Sequence, residues 1–152
     1  MDNLERLIAI EDIKHLKARY LRCADGKQWD EFQSLFTPDA EFVGHDIGEF
    51  RVKGAAEFRK FSEDFLGKSL SIHHVYAPEI EFSGPASAKA RWIMTDKLFW
   101  EKGDPINGYK EIHGWGHYHE TYSRRQGRWL FTSRRLARLH VITSPGSKRE
   151  AT

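Results

Sequence analysis

The chain has a single cysteine, Cys23, and no long uninterrupted run of apolar residues. One cysteine cannot form an intrachain disulfide, so a reducing, cytoplasmic setting is the simpler expectation. A helix that spans a bilayer needs about 20 predominantly apolar residues in succession, and no stretch approaches that length. The N-terminal residues also lack the basic segment and apolar run of a secretory signal. These absences predict a soluble, cytoplasmic protein with no membrane partner.

No charge sign dominates the chain as a whole, but its two halves differ. Residues from 84 onward hold 13 Lys and Arg against 6 Asp and Glu, whereas the first 83 residues hold 11 against 16. A basic half can indicate nucleic acid or an anionic ligand. Its arginines lie beside turns or in a strand-like run, and no motif that enters a groove of DNA or RNA accompanies them. We therefore expect no nucleic-acid partner.

Aromatic residues are what the chain has in abundance. They make up 13% of its 152 residues, and ten of them are phenylalanines. A chain of this length forms one ordinary domain with a sizeable core. Many large rings in a small domain either fill that core or line an apolar pocket, and composition does not distinguish the two.

Apolar residues recur at helical spacing in three segments of the chain. The first segment, 4–24, predicts a helix of about five turns in which Lys17 falls with the polar positions. A shorter helix follows at 29–36 and is ended by Pro38. Two glycines bracket a third helix over 54–67.

The rest of the chain alternates or is rich in β-forming residues, which predicts strands. We expect a first strand at 39–43, a turn at 44–48 and a short partner at 49–52, and then a long antiparallel meander over 69–82, 88–100, 115–125 and 129–142. Three helices and such a meander make an α+β domain, residues 1–143, with a polar tail at 144–152. A strongly curved sheet with helices in its concave side forms a cone, whose open end is a natural pocket.

One acidic residue lies where the first helix must end. Asp25 has apolar residues at helical spacing on both sides, so folding of the two helices over one core draws its carboxylate inward. A buried carboxylate needs a cationic or hydrogen-bonding partner. The alternative is that Asp25 caps the second helix, since Asp is a common cap.

Four segments carry a resemblance to a known family. They are KQWDEFQSLFTPDAEF at 27–42, VKGAAEF at 52–58, SIHHVYAPEIEF at 71–82 and GHYHETYSRRQGRW at 116–129. In sequence and order they resemble the SnoaL-like branch of the nuclear transport factor 2-like superfamily. The resemblance implies a cone-shaped α+β barrel with three N-terminal helices on a strongly curved, mostly antiparallel sheet. It leaves the reaction open, because this fold hosts many enzymes and binding modules.

Within that branch the chain most resembles the hexachlorocyclohexane dehydrochlorinase, bile acid dehydratase and scytalone dehydratase group. Asp25 and His73 match the group's paired Asp and His, Tyr20 resembles a tyrosine of the bile acid dehydratases, and Arg134 matches an arginine on the last strand. The resemblance implies a lyase or isomerase that needs no cofactor or metal. In this hypothesis Asp25 orients His73, which removes a proton. Tyr20 donates a hydrogen bond to a substrate oxygen, and Arg134 stabilises negative charge.

Two pairs of neighbouring residues leave the inward-facing member undecided. The apolar residues of the strand at 69–82 alternate in step with His74 rather than His73. Pro78 permits a bulge that would switch the alternation, so His73 is preferred by its family position and His74 is kept as a substrate-binding candidate. Arg134 and Arg135 present the same ambiguity.

Three aromatic residues of the predicted meander are further candidates for contact with a ligand. Trp92, Trp115 and Tyr118 are predicted to line the pocket, although core packing or a subunit interface explains each of them equally well. The expected partner is a small, largely apolar molecule such as a polycyclic or aromatic compound. We also expect a homodimer or homotrimer formed through the open face of the sheet.

Other functions fit these residues less well. His117 and His119 share a strand face as metal ligands can, but no carboxylate follows at the expected spacing, so no metal site is predicted. Cys23 occupies a small apolar position of the first helix rather than that of a nucleophile. An epoxide hydrolase would need a water-activating set of the Asp-Arg-Asp type, and the candidate for its further inward carboxylate is Asp96. The alternative from another class is a noncatalytic module that binds a small ligand in the same pocket.

Overall fold

The computed structural model describes residues 1–44 and 50–144. The first helix, α1 (Asn3–Asp25), begins with a capping box. The backbone N–H of Glu5 donates to the Asp2 carboxylate, and the backbone N–H of Asp2 donates to the Glu5 carboxylate, each at 2.8 Å. The helix ends at Gly26, as its sequence predicts.

The second helix is shorter than its apolar spacing predicts. Helix α2 covers Trp29–Ser34, and Phe36 already belongs to strand β1 (Phe36–Gly44). Two effects outweigh the helical spacing. The proline at position 38 disfavours helical backbone just before it, and Phe36 pairs with Phe131 in the sheet. Helix α3 (Ala55–Leu66) lies between two glycines, as predicted.

The strands form one six-stranded sheet among the described residues, in the order β2-β1-β6-β5-β4-β3. All neighbouring strands are antiparallel except β1 and β6. Strand β5 begins four residues earlier than predicted, because its first residues pair with the ends of β4 and β6. The predicted turn at 44–48, beyond Gly44, and the tail after Ser144 lie outside the described residues. The strands other than β1 are β2 (Phe50–Lys53), β3 (Leu70–Gly84), β4 (Ser87–Phe99), β5 (Glu111–Arg125) and β6 (Arg128–Thr143).

The core lies between the helices and the inner face of the sheet. Helix α1 buries Ile13, Leu16, Tyr20 and Cys23 against it. Lys17 was predicted on the polar side of this helix, but it is fully buried because Glu120 on β5 supplies a buried partner. This curved sheet and its helices form the predicted α+β cone. Among the described residues, no helix combines the length and apolar character needed to span a membrane.

Candidate active site

Asp25 and His73 form a closely coupled pair where α1 meets β3. The His73 ring nitrogen Nδ1 lies 2.6 Å from Asp25 Oδ1, and the His73 backbone N–H donates to Asp25 Oδ2 at 2.9 Å. One carboxylate therefore fixes both the backbone and the ring of the histidine. When Nδ1 donates its proton to Asp25, Nε2 is the ring nitrogen available to a ligand.

Two further residues hold the Asp25 carboxylate in place. Ser71 Oγ donates to Asp25 Oδ1 at 3.0 Å, and Lys27 Nζ donates to Ser71 Oγ at 2.8 Å. Burial raises the pKa of Asp25, but the hydrogen bonds from His73 and Ser71 and the charge of His73 outweigh it, so the pKa lies below its ordinary value. Asp25 is the last residue of α1 and the N-cap of α2 is Gln28, so the alternative that Asp25 caps α2 is wrong.

The choice between the two histidines is decided by a bulge in β3. His73 faces inward with a side chain 9% exposed, whereas His74 is exposed and stacks beside Tyr76. The register between β3 and β4 shifts between Tyr76 and Glu79, and Ala77 has a positive φ of 36°. Beyond this bulge the alternation is reversed. The residues that face inward after the bulge therefore have the opposite parity to His73, which faces inward before it. A bulge near Pro78 thus explains why simple alternation favoured His74.

A cavity of about 150 Å³ lies beside His73, between α3 and the inner face of the sheet. Nine of its fourteen lining residues are aromatic or aliphatic, including four phenylalanines. Such a wall favours a largely apolar ligand. Its polar lining residues are Ser62, His73, Asp96, Arg134 and Arg138.

Arg134 places a buried positive charge in this cavity. The residue is 7% exposed, and Arg135 faces the opposite side of the strand and is exposed. The Arg134 guanidinium lies 4.9 Å from the ring centre of Tyr118 and 5.4 Å from that of Phe58. Within residues 1–44 and 50–144, Arg134 forms no ion pair and its Nε has no hydrogen-bond acceptor. It is therefore a desolvated cation suited to an electron-rich ligand group.

Tyr20 lies in the core rather than in the cavity wall. It is 5% exposed and packs against Phe32 and Phe131. Burial raises the pKa of Tyr20 to about 12, so its phenol stays protonated. Tyr118, which does line the cavity, is the phenol nearer to a ligand, and burial raises its pKa well above the ordinary value.

Of the four residues predicted to bind the substrate, Tyr118 lines the cavity and the other three do not. His74 is on the far side of β3 because of the bulge. The Trp92 indole is buried in the core, where its Nε1–H donates to the Tyr122 hydroxyl at 3.0 Å. Trp115 faces the outer side of the sheet, where it stacks against His113 and His140.

Sequence reasoning missed the arginine that pairs with Asp96. Asp96 was predicted as an inward carboxylate, and Arg138 binds it with two parallel hydrogen bonds, Nη1 to Oδ1 at 2.6 Å and Nη2 to Oδ2 at 2.8 Å. Both side chains line the cavity. The sequence feature that could have indicated this pairing is a pair of glycines on one face of β5, Gly114 and Gly116. They leave room for a long side chain from the next strand.

Metal-ligating residues do not gather in the part of the chain that the structure describes, where no group of three or more His, Cys, Asp or Glu could hold an ion. His117 and His119 lie on the outer face of β5, with ring centres 6.4 Å apart. Cys23 is fully buried in the core. The titratable side chains that line the cavity are His73, Asp96, Tyr118, Arg134 and Arg138.

Fold and site together define a cone-shaped domain of the nuclear transport factor 2-like superfamily. Residues 5–135 match the model of the SnoaL-like domain, and the chain belongs to this family. A curated relative, the probable cyclase FGR4 of Gibberella zeae, is 33% identical over 143 residues that cover 84% of this chain and 89% of the relative.

Solved structures share the same fold. The dehydrochlorinase LinA-type3 of Novosphingobium barchaimii matches with a TM-score of 0.78 and 20% identity, over 95% of this chain and 96% of the other. A Novosphingobium aromaticivorans protein provisionally assigned as a scytalone dehydratase matches with a TM-score of 0.79 and 20% identity, over 98% and 100% of the two chains. At such identities these likenesses establish the fold.

Proposed function

We propose that this protein is a cofactor-independent lyase or isomerase that acts on a small, largely apolar molecule. The observation that carries the proposal is the 2.6 Å contact between His73 Nδ1 and Asp25, with His73 in the wall of an apolar cavity. Relatives in the family include a probable cyclase, and proteins of the same fold include a dehydrochlorinase. Cyclisation and elimination both begin with movement of a proton, which a His–Asp pair performs.

The proposed chemistry starts at the free ring nitrogen of His73. Nε2 removes a proton from a carbon of the substrate, and the electron pair of the broken C–H bond forms a new double bond. In an elimination the neighbouring leaving group departs with its own bonding pair; in an isomerisation the double bond migrates and the proton is returned to another carbon. Asp25 stabilises the imidazolium formed meanwhile, because its carboxylate already accepts the Nδ1 proton.

Arg134 is proposed to stabilise the negative charge that develops on the substrate. It is a buried guanidinium in the same cavity, and burial strengthens its electrostatic effect. Burial opposes its charge, but Tyr20, Tyr118 and Glu120 raise the pKa of Arg134 above its ordinary value, so it stays cationic. Tyr118 can donate a hydrogen bond to the ligand from the cavity wall. Tyr20 lies in the core behind that wall and would act on the ligand only through its neighbours.

The proposal is tested by turnover once a substrate is in hand. A ligand carried through purification, identified by mass spectrometry, supplies the first candidates. His73→Ala should then lower the turnover of a confirmed substrate by about 10²–10⁴-fold, the range typical of a positioned general base. Asp25→Asn should also lower turnover, because an amide no longer stabilises the imidazolium. The matched control is His74→Ala, which removes an exposed histidine one residue away and should leave turnover unchanged.

A noncatalytic binding module with the same pocket is the competing function. If His73→Ala and Asp25→Asn both leave turnover intact, the acid–base proposal fails. If the identified ligand binds but no product forms under any condition, the binding module is favoured.

We also propose that two or three copies of the chain associate through the outer face of the sheet. Large apolar side chains are exposed there on neighbouring strands, namely Ile72, Tyr76, Ile93 and Ile142, each between 40% and 52% exposed. Trp115 lies on the same face. Large apolar side chains exposed together on one face of a sheet are typical of an interface between subunits. Sedimentation should show a dimer or trimer that Ile93→Glu dissociates; a wild-type monomer contradicts the proposal.

A further inference from the structure

The Asp96–Arg138 pair is a fully desolvated ion pair in the wall of the cavity. The side chains are 2% and 4% exposed, and each carboxylate oxygen accepts one hydrogen bond from the guanidinium. In the β3–β4 register Asp96 is directly opposite His73. Cross-strand neighbours of this kind have Cβ atoms about 4.5–5.5 Å apart on the same face. The pair is therefore adjacent to the proposed base.

The backbone is built to let Arg138 reach Asp96 across an intervening strand. A Cβ on Gly114 would lie 1.8 Å from Arg138 Nη1, and a Cβ on Gly116 would lie 2.6 Å from the Arg138 Cα. The register between β5 and β6 also shifts between Trp115 and Gly116, next to Arg138. Two glycines and a bulge thus leave room for one guanidinium to lie over β5.

Stability alone does not account for such a pair. Taking two charges out of water costs free energy that their attraction often fails to recover, and apolar residues of similar volume commonly serve as well or better. The lining around the pair is mostly apolar, so aliphatic residues would fit the surroundings. A polar pair that faces a ligand cavity at this cost suggests recognition of a polar group.

The hydrogen-bonding capacity of Asp96 indicates which polar group of a ligand the pair would recognise. A carboxylate has about four acceptor sites, and among the described residues Asp96 uses two of them, both for Arg138. Each open site accepts a hydrogen and repels an anion, and the charge of Arg134 in the same cavity disfavours a cation. The site therefore favours a neutral group with a hydrogen to donate.

We propose that Asp96, held by Arg138, binds a hydroxyl group of the ligand beside the position of the reacting carbon. The inference rests on the proposed function for the location of the reacting carbon, and it narrows the substrate class to hydroxylated apolar molecules, alcohols or phenols. A plain hydrocarbon or halocarbon would leave this acceptor unused. Asp96 acts here in binding, whereas His73 carries the proton transfer.

The test compares two probes of nearly equal size, 2-naphthol and 2-methylnaphthalene, which differ by O–H in place of CH₃. Their dissociation constants are measured by fluorescence titration with the wild-type protein and with Asp96→Leu/Arg138→Met. The double change removes both charges together, so neither is left unpaired. The ratio of the two dissociation constants should shift against 2-naphthol by about tenfold or more in the double variant, the effect of one hydrogen bond to a charged group.

The matched control is Lys17→Met/Glu120→Gln, which removes another buried ion pair whose members do not line this cavity. It should leave the probe ratio unchanged. A second readout needs no variant: 2-naphthol bound to the wild-type protein should show a downfield hydrogen-bonded hydroxyl proton in its NMR spectrum. The proposal is overturned if that resonance is absent, if neither probe binds, or if the double variant keeps the wild-type ratio. Binding requires no turnover, so these outcomes are independent of whether His73 is catalytic.

Discussion

Within residues 1–44 and 50–144, two buried ion pairs have almost equal exposure and very different surroundings. Lys17 on α1 and Glu120 on β5 meet at 2.5 Å with side chains 1% and 0% exposed. Asp96 on β4 and Arg138 on β6 meet at 2.6 Å with side chains 2% and 4% exposed. The first pair is in the core, and the second lines the cavity.

The core pair is surrounded by protein groups that complete its contacts. The Tyr122 hydroxyl donates to the second carboxylate oxygen of Glu120, and Trp92 donates to that hydroxyl in turn. Lys17 Nζ lies 3.6 Å from the ring centre of Tyr118. Each charge is thus held by several neighbours, which suits a structural role.

The carboxylate of the cavity pair is less completely surrounded. The Asp96 oxygens have Arg138 as their partner among the described residues, and the cavity lies beside them. Burial alone therefore does not identify a charge that has a function. What distinguishes the two pairs is acceptor capacity left open toward a space where a ligand fits.

Removing one partner should have the largest effect, and it should be larger in the core. Glu120→Ala removes the anion that opposes the effect of burial on Lys17, so Lys17 must either lose its proton or stay charged with no anion in contact. Either outcome should lower the free energy of unfolding by about 3–5 kcal/mol. Asp96→Ala should cost less, because the cavity can admit water to Arg138. Urea unfolding followed by circular dichroism measures both. Equal losses in the two variants would remove the distinction between the pairs.

The two pairs should also respond differently to alkaline pH. Burial, opposed in part by Glu120, lowers the pKa of Lys17 to about 8 from its ordinary value of 10.5. Between these pH values the unfolded chain keeps a proton that the folded chain has lost. Stability due to Lys17 should therefore rise with pH across this window, by at most about 1.4 kcal/mol per pH unit.

The two double variants isolate this effect. Between pH 7.5 and 10.5, the unfolding free energy of the wild type should rise with pH relative to that of Lys17→Met/Glu120→Gln. The difference between wild type and Asp96→Leu/Arg138→Met should stay flat, because arginine does not lose its proton in this range. If the difference between wild type and Lys17→Met/Glu120→Gln also stays flat, the lowered pKa of Lys17 is contradicted.

The overall fold followed from local signals in the sequence, and its exceptions have tertiary causes. Helical spacing and glycines placed α1 and α3 within a few residues. Phe36 was assigned to a helix, and its pairing with Phe131 instead makes it part of a strand. Lys17 was assigned to a polar face, because the sequence of α1 does not show that Glu120, about a hundred residues away, is buried opposite it.

The candidate site was predictable to the extent that family position identified residues. Asp25 and His73 were chosen by resemblance, and the structure brings them into contact, although alternation along β3 favoured His74. The bulge that resolves this depends on pairing with β4, which one strand's sequence does not contain. The partner of Asp96 was missed for a similar reason, since Arg138 reaches it across a third strand.

A methyl group on Gly114 should disturb the cavity pair without touching the core pair. In Gly114→Ala the new Cβ would lie 1.8 Å from Arg138 Nη1 and 2.8 Å from Asp96 Oδ1, so the guanidinium must move. We expect a loss of about 1–3 kcal/mol in unfolding free energy, as for other overpacked sites. Gly84→Ala is the matched control, because nothing lies within 4 Å of its added Cβ. A loss in both variants alike would assign the effect to glycine replacement in general.

Replacing a whole pair should have the smallest effect on stability, and it should differ between the two sites. Asp96→Leu/Arg138→Met removes two desolvated charges and leaves apolar side chains beside an apolar cavity, so the unfolding free energy should stay within about 1 kcal/mol of wild type or rise. Lys17→Met/Glu120→Gln should lose about 1–2 kcal/mol, because it also weakens the hydrogen bond from Tyr122 to Glu120. Urea unfolding at neutral pH measures both. If the cavity variant is the less stable of the two, the Asp96–Arg138 pair stabilises the sheet and its open acceptor sites are incidental. If the cavity variant is as stable as wild type and its preference for 2-naphthol falls, the pair is retained for recognition.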